Sequence, residues 1–227
     1  MFVQFIHPFT MLICGPSGSG KTTFLKNLLK NKRDLINEDI TRIIWCYAEE
    51  HAKPGFSGLE YYKGVPDTIE NELNEPILII LDDLMMGAFN KSVCELFTKG
   101  SHHRNLSVIV VTQNIFHKAS HTRDISLNTK YIVVFKNPRD KLQFQCLARQ
   151  IYPENSSELM RIYKEVTEEP HGYLLIDLTQ RINDLLRFRS NIFNSTYSIC
   201  YSDENGLQKE SKTIDGEQAY IVCAEKS

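Results

Sequence analysis

Phe9-Thr10-Met11-Leu12-Ile13-Cys14-Gly15-Pro16-Ser17-Gly18-Ser19-Gly20-Lys21-Thr22 runs from an apolar stretch through a glycine-rich turn into a helical pattern. Glycines lack a Cβ, so successive backbone N–H groups in such a turn can converge on one anion, and the helix start adds its positive dipole end. Lys21 supplies charge for the β- and γ-phosphates of a nucleotide, and the Thr22 hydroxyl suits Mg²⁺. The spacing Gly15-x-x-x-x-Gly20-Lys21-Thr22, after a buried strand and before a helix, predicts a phosphate loop rather than a turn that merely reverses the chain. The expected binding set for ATP is Gly15, Pro16, Ser17, Gly18, Ser19, Gly20, Lys21, Thr22 and Thr23. A dinucleotide site is disfavoured, because Gly18-x-Gly20 would need a third glycine where Thr23 stands.

Outward from this stretch, short β-rich apolar runs alternate with helical patterns, as in a parallel sheet covered by helices. The expected strands are Phe9–Cys14, Arg42–Tyr47, Ile77–Leu81, Ser107–Thr112, Tyr131–Phe135 and Tyr173–Leu178; the expected helices are Lys21–Asn31, Lys91–His103, Arg139–Ile151 and Ser156–Thr167. Pro138 and Asn155-Ser156 are reasonable starts for the last two helices. Residues 48–75 are polar and rich in Gly and Pro, and read mostly as a surface excursion. The fold class is α/β, a P-loop NTPase three-layer sandwich with a central, mainly parallel sheet. After about Asn194 the composition turns to Ser, Asp, Glu, Lys and Gly. Residues 1–194 are therefore read as the ATPase domain and 195–227 as a C-terminal appendage, either a hairpin or a loosely ordered tail.

Two further motifs fit a nucleotide at the strand ends. Ile77-Leu78-Ile79-Ile80-Leu81-Asp82-Asp83 is an apolar strand ending in two carboxylates. Asp82 there can hold Mg²⁺ through water together with Thr22, and Asp83 can polarise an attacking water; the bland alternative is a helix N-cap. Asp83 is one methylene shorter than the glutamate commonly found at that place. Ser107-Val108-Ile109-Val110-Val111-Thr112-Gln113-Asn114 is another buried strand ending in amides. Gln113 can touch the γ-phosphate and the water, or simply cap the strand.

The whole chain sets bounds on partners. Its 227 residues suit one domain with a short appendage, and 42% hydrophobic with 24% charged residues is ordinary for a soluble globular protein. Twenty-six Lys and Arg against 28 Asp and Glu give a net charge of −2, so any DNA contact must use a local basic patch. The six cysteines include no C-x-x-C pair, which favours a reducing compartment without a zinc site. The apolar N-terminus lacks a basic start and a cleavage site, and no run approaches the roughly 18 residues of a membrane span; an intracellular, soluble protein is expected.

Taken together, the phosphate loop, Leu81-Asp82-Asp83-Leu84, His103-Arg104-Asn105-Leu106-Ser107 with Thr112-Gln113-Asn114, Leu127-Asn128-Thr129 and Phe135-Lys136-Asn137-Pro138-Arg139-Asp140 resemble one family. It is the genome-packaging ATPases of the FtsK–HerA superfamily, particularly the poxvirus-type branch of large DNA viruses and Polinton-type mobile elements. Gly172-Tyr173-Leu174-Leu175-Ile176-Asp177 and Leu186-Arg187-Phe188-Arg189 extend the resemblance to about residue 193. It implies a homo-oligomeric ring, a pentamer or hexamer, that hydrolyses ATP and pushes double-stranded DNA into a preformed capsid, with capsid or portal-vertex proteins as partners and the virion-assembly site as its place of action. It also implies the RecA/FtsK-like order, in which the Gln113 strand separates the phosphate-loop strand from the Asp82 strand. Arg104 is the candidate arginine finger for a neighbouring subunit, with Arg123 and Arg139 as rivals, and the loop around 115–130, with Lys118, is the candidate DNA-facing segment. Alternatives are a recombination or regulatory ATPase of the same superfamily, or a small-molecule kinase, for which the arginine-rich lid is missing.

Overall fold

The computed structural model describes residues 4–50, 53–66, 69, 71, 74–84, 105–116, 127–182 and 186–193, and the backbone of 198–200, 210–214 and 217–222. The strands are β1 (Thr10–Cys14), β2 (Arg42–Tyr47), β3 (Glu60–Lys63), β4 (Ile77–Asp82), β5 (Leu106–Thr112), β6 (Tyr131–Phe135), β7 (Tyr173–Asp177), β8 (Phe188–Ser190), β9 (Ser198–Cys200), β10 (Glu210–Ile214) and β11 (Glu217–Val222). The described helices are α1 (Lys21–Lys30), α2 (Lys32–Leu35), α3 (Lys141–Ile151) and α4 (Ser156–Val166), with a 3₁₀ turn at Pro153–Asn155. The helix expected at Lys91–His103 lies outside the described residues.

All the strands join one open sheet in the order β10-β11-β9-β8-β7-β6-β1-β5-β4-β2-β3. From β6 to β3 every neighbouring pair is parallel, while β7, β8 and β9 continue antiparallel from β6. β5 thus lies between β1 and β4, as the resemblance implied. The five residues of β1 and the seven of β5 are all buried. A central strand covered on both faces must be apolar throughout, which explains why these runs read as continuous rather than alternating.

Successive side chains point to opposite faces and divide the core in two. On one face Met11, Ile13, Ile80, Ile109, Val111 and Val133 pack against Phe24, Leu25 and Leu28 of α1. On the other, Leu12, Leu81, Val108, Val110, Ile132 and Val134 pack against Phe144 and Leu147 of α3 and Leu159 and Ile162 of α4. The stacked rings of Phe144 and Tyr163, 3.8 Å between centroids, join α3 to α4. The result is the three-layer sandwich expected from the sequence.

Two local readings differ from the structure. The 48–75 excursion contains β3, which pairs in parallel with β2 at the sheet edge. Glu60, Tyr62 and Lys63 face solvent, so an exposed edge strand carries no apolar signature. The third expected helix begins two residues later than Arg139, at Lys141. Its cap is Asp140, whose side chain accepts from the Gln143 N–H, rather than Pro138.

Candidate active site

Parallel pairing brings the C-terminal ends of β1, β5, β4 and β6 to one edge of the sheet, where ligands of open α/β folds gather. The phosphate loop starts there, and Gly15 N donates to Thr112 O at the end of β5 (3.2 Å). A Cβ on Gly15 would lie 2.7 Å from Phe135 Cβ and 2.7 Å from Ser19 Oγ, so only glycine lets the loop pass the end of β6. Gly20, at φ +110°, caps α1 in a left-handed conformation. Thr22 and Thr23, in the first turn of α1, are exposed.

Lys21 leans back over the loop, its Nζ donating to Gly15 O (2.6 Å) and Pro16 O (2.9 Å). Burial lowers its pKa, while the carboxylates of Asp83 and Asp82 pull it back up. Asp82 ends β4 opposite Val111, and its pKa is raised to about 6, first by burial and then by Asp83, against the pull of Lys21. Two acids side by side with one ammonium leave a deficit of positive charge. The Thr22 hydroxyl and the Asp82 carboxylate are hard oxygen donors of the kind Mg²⁺ takes, and a divalent cation would relieve that deficit. The residues present fit the metal.

Asp83 leaves the strand with φ +48°, an uncommon conformation for a side-chain-bearing residue. Its N–H bonds Val111 O (3.3 Å), and its Oδ2 accepts from Gln113 Nε2 (3.2 Å). The structure therefore brings together Lys21, Asp82, Asp83 and Gln113. Arg139 is exposed on the segment after β6, and its backbone N–H bonds Asn137 Oδ1 (3.1 Å). Arg104, Arg123 and Lys118 lie outside the described residues.

Two contributors escaped the sequence reading. Gln143, on α3, ties the exit of β5 to the segment after β6: its Oε1 accepts from Ile115 N (2.7 Å), and its Nε2 donates to Asn114 Oδ1 (3.1 Å) and Asp140 Oδ2 (2.7 Å). Asn137 Oδ1 in turn holds the N–H groups of Arg139 and Asp140, and Tyr163 Oη bridges Phe135 O and Asn137 N. This half-buried amide, making three bonds, holds the Asn114–Ile115 segment that follows Gln113. In sequence it is one polar residue on an amphipathic helix, with only its place after Asp140 to mark it. The second is His171, whose Nδ1 lies 3.2 Å from Ser19 O.

A groove of about 840 Å³ runs along α4, walled by residues such as Lys136, Asn137, Met160 and Lys164, with no phosphate-loop residue in its lining.

No protein-family model and no curated protein matches the sequence. Among solved structures, the chain is similar to the genome packaging NTPase B204 of Sulfolobus turreted icosahedral virus 2. In complex with AMPPCP that protein superposes with TM-score 0.53 at 16% identity, over 77% of this chain and 95% of that one. Its complex with ATP-γS gives TM-score 0.51 at 15% identity, over 77% and 95%. B204 from Sulfolobus turreted icosahedral virus, a DNA-packaging ATPase, gives TM-score 0.50 at 15%, over 78% and 95%.

Two outcomes follow from the geometry. A carboxyl with a raised folded-state pKa contributes stability below its unfolded value, near 3.8, and loses it as pH rises through about 6. In metal-free buffer Asp82→Asn therefore stabilises the fold at pH 8 by at most about 3 kcal/mol and leaves it unchanged near pH 3.5; equal urea midpoints of the two proteins at pH 8 would contradict the strained acid. Gln143→Leu removes the acceptor from the Ile115 amide. Its hydrogen exchange should then accelerate roughly ten- to a hundredfold, and unchanged exchange would show that Gln143 does not hold the β5 exit.

The phosphate loop, the paired acids and Gln113 thus meet at one sheet edge, on a fold shared with viral genome-packaging NTPases.

Proposed function

We propose that this protein is an ATP-hydrolysing motor that translocates double-stranded DNA and packages a viral or virus-like mobile-element genome into a capsid. The observation that carries the reading is the convergence of Lys21 with Asp82, Asp83 and the Asp83–Gln113 hydrogen bond at the mouth of a phosphate loop.

The loop's backbone N–H groups and Lys21 receive the β- and γ-phosphates. Thr22 and Asp82 would hold Mg²⁺, which would supply charge neutralisation for the phosphate oxygens when bound. Asp83, fixed by its backbone bond to Val111 and its side-chain bond to Gln113, accepts a proton from the attacking water. Gln113 donates to that carboxylate through Nε2, which leaves its Oε1 able to accept from the same water and orient it. An acid and an amide poised together favour water as acceptor, and so hydrolysis over transfer to a small molecule.

The family resemblance of the sequence supports completion of the site by a neighbouring subunit in a homo-oligomeric ring, with Arg104 reaching the γ-phosphate and Arg123 and Arg139 as rivals. A chain with net charge −2 holds DNA weakly alone. A ring gathers Lys118, Arg123 and their copies around one channel, where many phosphates are neutralised together. The resemblance stated from sequence and the B204 fold support packaging over a recombination or regulatory role.

The test is ATPase rate against double-stranded DNA and protein concentration, with solution mass measured alongside. Stimulation by DNA, cooperativity in protein, and partial rescue on mixing Arg104→Ala with Lys21→Ala subunits are expected. Asp83→Asn should retain MgATP yet hydrolyse it at least about a hundredfold more slowly. A strict monomer whose rate ignores both DNA and concentration would sink the motor reading.

A further inference from the structure

His171 belongs to the turn between α4 and β7, and the structure fixes that turn with unusual care. Lys136 Nζ donates to Glu168 O (3.1 Å), and Gly172 N donates to Glu169 O (3.1 Å). A Cβ on Gly172 would sit 2.3 Å from Val166 O, so the backbone passes where no side chain fits. His171 itself adopts φ +65°, a left-handed conformation uncommon for a residue with a β-carbon. Strain of this kind at a residue touching a ligand loop points to a role for its side chain.

The turn sets the imidazole on the rim of the phosphate loop. Its Nδ1 lies 3.2 Å from Ser19 O, and a Cβ on Gly20 would meet His171 Cβ at 3.2 Å and Phe135 Cε1 at 3.3 Å. Ser19 O can only accept, so the neutral ring carries its hydrogen on Nδ1. Phe135 is buried at 1% exposure, whereas His171 is exposed; of the two rings against Gly20, only the imidazole can meet a ligand.

Topology says which part of the ligand it meets. Asp82, Asp83 and Gln113 stand on β4 and β5, to one side of β1. The terminal phosphate must lie on that side to meet them. β6 and then β7 flank β1 on the other side, and β7 runs antiparallel to β6, so its start at Tyr173 lies level with Phe135 at the same sheet edge. A nucleotide with its terminal phosphate toward the acids therefore extends its sugar and base over the β6–β7 side, past His171.

We propose that His171 is the nucleoside-binding residue of this site, its imidazole packing against the ribose and base of the bound nucleoside triphosphate. This inference rests on the phosphate-loop reading. The competing role for His171 is a prop that shapes the loop through Ser19, and the two differ in what they do to a ligand without a nucleoside.

The experiment compares ATP with inorganic triphosphate, each titrated with Mg²⁺ by calorimetry into the unsubstituted protein and into His171→Asn. Asparagine tolerates the left-handed backbone, so the turn survives the change. His171→Ala serves as a second variant, and circular dichroism monitors the fold of both. Loss of a ring from a nucleobase commonly weakens binding by an order of magnitude or so; ATP affinity is expected to fall about tenfold while triphosphate affinity stays within about twofold. An equal fall for both ligands, or no fall for either, would overturn the nucleoside role. Failure of the unsubstituted protein to bind either ligand would instead overturn the phosphate-loop reading itself.

Discussion

Cys14 faces Thr112 across one parallel ladder, and Val111 faces Asp82 across the next. These two registers bring three strand ends level, and every group at the site hangs from them. Gly15 begins the phosphate loop with a bond to Thr112 O, and Asp83 turns away from its strand with a bond to Val111 O. β5 is thus the common reference for the loop that holds phosphate and for the acid that faces it. A shift of one residue in either ladder would move the site by about 3.3 Å and turn the side chains of that strand to the opposite face. The buried seven-residue run of β5 forbids such a slip by packing both core clusters at once.

Electrostatics makes this edge expensive in isolation and useful with a ligand. Burial and the neighbouring Asp83 raise the demand of Asp82 for positive charge, and Lys21, partly buried, answers only part of it. A polyanion brought with a divalent cation adds charge of both signs where the imbalance lies. The same logic explains why Asp83 tolerates a left-handed backbone: the bond to Gln113 Nε2 and the turn at the strand end hold its carboxylate at the mouth of the loop. Behind it, Gln143 converts the segment after β6 into a rigid backing for the exit of β5.

Periodicity made the buried strands legible. Arg42–Tyr47 and Tyr131–Phe135 match the expected bounds, because a strand covered on both faces is marked by an apolar run with polar flanks. β3 was hidden, since an edge strand with three exposed residues in four looks like a loop. Strand order is a long-range property that no local pattern encodes; it came from the resemblance. Asp82, Asp83 and Gln113 stood out because each ends or follows a strong apolar run, and Lys21 because it closes the glycine-rich turn. Gln143 and His171 did not, because their roles come from contacts across 28 and 152 residues of chain. Arg104 lies outside the described residues, so its reading rests on sequence alone.

The most direct test of the phosphate loop as the functional centre is calorimetric titration of MgATP into Lys21→Ala, with circular dichroism to check the fold. Removing one charged donor from phosphate oxygens is expected to weaken binding roughly ten- to a hundredfold while the fold remains intact. Unchanged ATP affinity in a folded variant would contradict the assignment and, with it, the placement of the chemistry at this edge of the sheet.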